Sequence, residues 1–341
     1  MKKERTSTFT VILLTVLIAF TALMVSLLVY LCFSMLMGGD FGHGNGKYDR
    51  GPSKYFGGNV SGNEVKKEVL EDGTVLLNGM DTRGSSGAAE GRVVLVSLFY
   101  DGKEDWGDDM RAEAGSNTDV ATQFIESSAA EYGKNIEFVY DTSAGSDLNY
   151  DMDLDDVYIP SNIQDVQGWG DLVQAVDKFI TKKVDSDALK DEYGATGIVY
   201  AVFLNDEGTC CAFPYYAGDT RNSFNEMCFL YYNARDGKVG PSVYAHEMLH
   251  LFGARDLYKE SVEDGTTTDL VRYTMLNFPD ELMLYAEDSY GSGISQGFVS
   301  NSISEITAYF VGWLDDIPEL EKFPGMKSEY PASFTVQDDG T

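Results

Sequence analysis

Histidine is nearly absent from this chain, with three residues among 341. Cysteine is almost as scarce, with four, and Lys plus Arg number 25 against 55 Asp plus Glu, a formal net charge of −30. Each shortage excludes something. So acidic a chain repels phosphate, which removes nucleic acid from the partners to consider. Its plainest consequence is a soluble, self-repelling surface. Four cysteines cannot staple a chain of this length, so the fold must stand on a hydrophobic core. Three histidines limit any imidazole metal site to very few positions. No internal repeat is present either. Charge itself is missing from one stretch: none occurs between Phe9 and Met37.

That apolar run, as a helix, would extend about 43 Å against a hydrocarbon core of about 30 Å. It is longer than the apolar core of a typical cleavable signal peptide, and no A-x-A site follows it. The expectation is a signal anchor over 9–37, with a cleaved signal as the alternative. Lys2, Lys3 and Arg5 precede it, which predicts a cytoplasmic N-terminus over 1–8 and everything beyond the span outside the cell. The implied location is the cell membrane, crossed once. Residues 38–62 hold nine glycines and His43, and read as a flexible stalk. A transitional segment runs to residue 91, with one strand expected at Thr74–Leu77 and a glycine-serine break at Gly84–Gly87. A folded domain is expected over 92–341, its upper part over 92–253 and its lower part over 254–341.

Within that domain Val93–Tyr100 and Ile198–Leu204 are apolar runs of strand length, and Ile136–Tyr140 is a third strand. Thr118–Tyr132 and Asp171–Thr181 carry apolar residues at helical spacing. Strands alternating with helices predict an α/β fold with a mostly parallel sheet. Cys210–Tyr216 and Glu226–Tyr232 flank the turn Ala217–Thr220, and Pro214 confines the first of them to a sheet edge. The acidic stretch Asp101–Glu113 reads as a surface loop. Asp147–Asp156 reads as another, with bound calcium as the alternative. It fails as an EF-hand, because Asp156 and Asn162 stand where Gly and Glu are needed. Ser302–Leu314 is the one helix expected in the lower part.

One stretch carries chemistry: His246-Glu247-Met248-Leu249-His250-Leu251-Phe252-Gly253-Ala254-Arg255-Asp256. Pro241 suits a first helical turn and Gly253 a left-handed C-terminal cap. The residues between are apolar all round apart from the motif, as in a buried helix. His246 and His250, four apart, project from one face and can share a zinc ion. Glu247 can reach a water at that metal without ligating it. With His43 in the stalk, a third imidazole is lacking. The chain turning at Gly253 would bring Asp256 back as an oxygen ligand, leaving a fourth position open.

The pattern H-E-x-x-H-x-x-G-x-x-D resembles the zinc signature of the metzincin metallopeptidases, in the form with Asp as third ligand. With Tyr258 two residues on, it looks most like immune inhibitor A-type and, more distantly, snapalysin-type peptidases. The resemblance implies a twisted sheet with an antiparallel edge strand bordering a cleft, an active-site helix and a smaller C-terminal subdomain. It also implies hydrolysis of protein or peptide substrates, with Glu247 as general base. Met275, in Tyr273-Thr274-Met275-Leu276-Asn277, looks like the methionine turn beneath the metal in that clan. Some members carry an assisting tyrosine two residues after that methionine, and here Asn277 stands there. No cysteine lies between residues 33 and 209, which excludes a cysteine-switch propeptide. Two other outcomes stay open. A downstream glutamate (Glu281, Glu287 or Glu305) would make the site that of a gluzincin, and loss of catalysis would leave a zinc-binding surface protein or adhesin. Finally, Cys211 or Cys210 could bridge to Cys228 across the hairpin, the midpoint of the first pair fitting the turn better.

Overall fold

A computed structural model describes residues 66–69, 75–78, 85–87, 89–102, 105–154, 157–214, 225–234, 237–259, 266–286 and 298–327. All belong to the compact unit that begins at Arg50. The expected anchor and His43 lie outside the described residues. Among those described, no helix is long and apolar enough to cross a membrane. Strands β1 (Lys66–Val69) and β2 (Val75–Asn78) form an antiparallel pair of their own, where only the second strand was expected.

The domain is mixed α/β around a seven-stranded, mostly parallel sheet. Its centre is β3 (Gly91–Tyr100) beside β6 (Gly197–Glu207), parallel, with Val93 opposite Gly197 and Tyr100 opposite Leu204. Val93–Tyr100 and Gly197–Asn205 are buried on both faces, which is why they read as unbroken apolar runs rather than alternations. β4 (Ile136–Val139) and β5 (Asn149–Met152) share the outer side of β3, pairing with its first and last four residues. β8 (Met227–Ala234) lies parallel to β6. The short β7 (Cys211–Phe213) pairs antiparallel with β8 as the sheet's edge, and β9 (Gly237–Lys238) turns back on the end of β8.

Helix α1 (Asp108–Glu131) starts well before the expected Thr118 and takes up half of what reads as a surface loop. Its early buried positions are Ala114, Gly115 and Asn117, too small or too polar to form an apolar stripe. A Cβ at Gly115 would stand 2.4 Å from Thr142 Oγ1, so the helix lies close on its neighbour. Asp108 and Asp109 suit the positive end of the helix dipole. α2 (Val166–Lys183) is capped by Asp165, which accepts from the Gly168 amide, and packs Trp169 against Phe213 and Phe229. α3 (Ser186–Tyr193) was not expected. β5 also comes as a correction, since it lies inside the acidic stretch: Asn149 and Met152 are buried while Asp151 pairs with Arg111.

Ser85, Ser86 and Ala89, all before Arg92, are held by the domain. The Ser85 carbonyl accepts from the Ile198 amide, the Ser86 amide donates to Glu226 at 2.7 Å, and Trp313 Nε1 donates to the Ala89 carbonyl at 2.8 Å. The described part of the glycine-serine break, 85–87, is thus a packed strap. Gly197 is required beneath it, because a Cβ there would lie 1.9 Å from the Ser86 carbonyl oxygen.

The hairpin corrects the cysteine expectation. Cys211 stands opposite Phe229, and Ala212 opposite Cys228. Cys211 and Cys228 are one residue out of step and face opposite sides of the sheet. Cys210 shares a face with Cys228 but lies diagonal to it, where Cα atoms are about 7–8 Å apart, beyond comfortable disulfide reach. Cys210, Cys211 and Cys228 are free thiols.

Candidate metal centre

The helix α4 (Pro241–His250) begins with Pro241 at its first position behind Gly240 and buries Tyr244, Ala245, Met248 and Leu249. Burial of each large apolar side chain contributes about 1.5–3 kcal/mol, so the helix is fixed by packing rather than propensity. At its end the Gly253 amide bonds the His250 carbonyl, the Ala254 amide bonds the Leu249 carbonyl, and Gly253 adopts φ +99°. That left-handed residue reverses the chain. Leu257 is fully buried and its amide donates to the Met283 carbonyl at 2.9 Å, which sets Asp256 beneath the helix.

His246 and His250 lie with ring centres 4.8 Å apart at 88°. His246 Nδ1 sits 3.1 Å from the Leu282 carbonyl, and His250 Nδ1 sits 2.8 Å from the Ala254 carbonyl. A carbonyl can only accept, so the network assigns the ring proton to Nδ1 in both. Each Nε2 is left with a bare lone pair. Both lone pairs meet Asp256 Oδ1, at 3.3 Å from His246 and 3.2 Å from His250. These separations are of hydrogen-bond length, yet neutral imidazoles in this tautomer have no hydrogen to place there. Asp256 Oδ1 is accordingly buried without a donor. Three such atoms within 4.8 Å of one another are satisfied by a cation between them, a metal ion or a proton. Two imidazoles and a carboxylate suit zinc, with room for a fourth ligand.

Without a metal ion, a proton on His250 meets the same need. Burial opposes charge on His250, but the contact with Asp256 outweighs it and lifts the imidazole to about 9. Burial likewise works against an ionised Asp256, yet the two imidazoles hold its carboxyl well below the usual range. A proton and a metal compete for the same lone pairs in such a site. Glu247, only 7% exposed, is pushed up by desolvation, which the neighbouring imidazoles partly offset. It supplies no atom to the three-ligand group. The other oxygen of Asp256 is 2.7 Å from Lys259 Nζ. The Tyr258 ring lies tilted beside His246, with centroids 6.3 Å apart.

The four expected residues therefore come together: His246, His250 and Asp256 as convergent atoms, Glu247 on the same helix. The glutamate alternative fares otherwise. Glu281 is fully buried and accepts from the Met283 amide, the Ser304 amide and Thr307 Oγ1. Glu305 opens the short helix α6 (Glu305–Phe310), which is all of Ser302–Leu314 that is helical, and Glu287 lies outside the described residues. In the acidic stretch Asp147 accepts from the Tyr193 hydroxyl, and the only convergent ligand group among the described residues is the His–His–Asp one.

Met275 requires a correction. It lies on a helix, α5 (Thr268–Asn277), and is 40% exposed, because the Thr267 cap and a full set of helical bonds continue through it. The turn packed against His246 is instead Glu281–Leu284, whose Leu282 carbonyl holds the imidazole and whose Met283 is wholly buried. Tyr285 stands two residues after that methionine. The apolar triplet Leu282-Met283-Leu284 followed by tyrosine was the available signal. Comparison with models of protein families gives no match for this chain, and comparison with curated proteins gives none either.

Proposed function

We propose that this chain is a zinc-dependent endopeptidase of the metzincin type, held at the cell surface by Phe9–Met37 with its catalytic domain outside. The observation that carries the proposal is the three-acceptor convergence of His246, His250 and Asp256, with the desolvated carboxylate of Glu247 coupled to it. The Gly253 reversal and the buried Met283 turn support the family likeness.

Bound zinc would supply Lewis acidity, polarising the scissile carbonyl and lowering the pKa of water to about 7. The protein does the rest. His246 and His250, their Nδ1 protons tied to backbone carbonyls, are fixed in orientation and in tautomer. Glu247 takes the proton of the attacking water and hands it to the leaving amine, a role suited to a carboxylate whose pKa is raised by burial. Among the described strands β7 pairs with β8 alone, so its outer edge is available to an extended peptide as one more strand. Tyr285, two residues after Met283, stands at the offset where the family likeness implies an assisting tyrosine.

Replacing Glu247 by Gln tests the proposal. Hydrolysis of a peptide library should fall by about 10²–10⁴-fold, while about one zinc per chain stays bound. Loss of zinc together with activity would make Glu247 a ligand or a structural residue instead.

A further inference from the structure

Asp256 offers two oxygens, and the fold treats them differently. Oδ1 faces the two Nε2 atoms, whereas Oδ2 meets Lys259 Nζ at 2.7 Å. The Asp256 side chain is 13% exposed, and Lys259 reaches it from the surface with its own side chain 55% exposed. The two residues are three apart on the turn that Leu257 anchors through its burial and its bond to the Met283 carbonyl. The Lys259 ammonium also lies 5.2 Å from the centre of the Tyr258 ring, which limits where it can go.

Resting on the zinc reading above, we propose that Lys259 is a positioning residue for the metal centre. Its ammonium holds Oδ2 away from the imidazoles and fixes Asp256 as a one-oxygen ligand. A carboxylate without that restraint can rotate about its terminal torsion and turn either oxygen, or both, toward the metal. The restraint does two things. It organises the ligand set before metal arrives, and it keeps the open position from being filled by the second carboxylate oxygen. Outer partners of this kind typically matter 10–100-fold for metal affinity. Charge alone acts in the opposite sense, because a cation so close repels zinc. The two effects therefore give opposite outcomes on removal.

Zinc affinity of the full chain, purified in detergent and measured by competition with a chromogenic chelator, separates them. Lys259→Met should bind zinc about 10-fold more weakly than the unaltered chain, and Lys259→Arg should restore it to within about 3-fold. In an Asp256→Asn background the Lys259→Met change should have no further effect, since Lys259 acts only through that carboxylate. The thermal midpoint of the metal-free chain should be the same with and without Lys259→Met, which a general structural role would not allow. Equal or tighter zinc binding by Lys259→Met overturns the inference and leaves the zinc reading intact. An unaltered chain that takes up no zinc overturns both.

Discussion

At the scale of single residues, the site is a matter of counting donors and acceptors. His246 and His250 give their one ring proton each to backbone carbonyls, so the lone pairs that remain have only Asp256 Oδ1 before them. Asp256→Ala should therefore weaken zinc retention by more than the roughly 10–100-fold cost of an outer-shell change. Glu305→Ala, by contrast, should leave zinc in place; metal analysis of both variants decides it. A site emptied by the Glu305 variant would make this a gluzincin. Most of this was legible in the residues. The histidine spacing gives a shared face, and the shortage of histidine points to a carboxylate after Gly253. The partner carbonyls of Leu282 and Ala254 were not legible, because backbone acceptors leave no trace in side-chain pattern.

At the scale of elements, legibility follows apolar content. β3 and β6 are buried on both faces and announce themselves, and α4 has Pro241 and Gly253 as punctuation. α5 buries only Leu270 and Thr274, so its period is too faint to read and its Met275 reads from sequence as part of a turn. The first half of α1 hides behind Ala, Gly and Asn for the same reason. The cysteine pairing failed on a single step of register, the smallest error that changes the face of every side chain. The turn under His246 depends on Glu281. Its two oxygens take three donors, so Glu281→Gln, which sets an amide NH₂ against one of them, should cost about 1–3 kcal/mol. Burial raises the Glu281 pKa against the pull of its donors from Ser304, Met283 and Thr307. A raised folded-state pKa means that the group's contribution is present below the ordinary glutamate range and is lost as pH rises through the folded value. The stability gap between the two forms, from denaturant midpoints, should thus be widest at acid pH and narrow upward. A gap that widens with pH would contradict this.

For the whole molecule, the parts agree on one use. A mostly parallel sheet carries the helix of His246 and His250, and an antiparallel strand lies at the edge to which the proposal assigns the peptide. With 55 acidic against 25 basic residues, the formal net charge of −30 disfavours contact with phosphate. The mostly parallel α/β arrangement could be anticipated from alternating apolar runs. The strap at Ser85–Ser86 could not, because what holds it is contact with Glu226, Ile198 and Gly197, all more than a hundred residues away. The central claim is that one zinc ion makes this molecule a peptidase. Peptide hydrolysis should be followed in the full chain after its metal is stripped with a chelator and zinc is returned in fractional equivalents. The expected result is no cleavage in the stripped chain, then activity rising in proportion to zinc and levelling at one equivalent per chain. Cleavage that persists without metal, or a chain that binds its equivalent of zinc and cuts no peptide, would contradict the account.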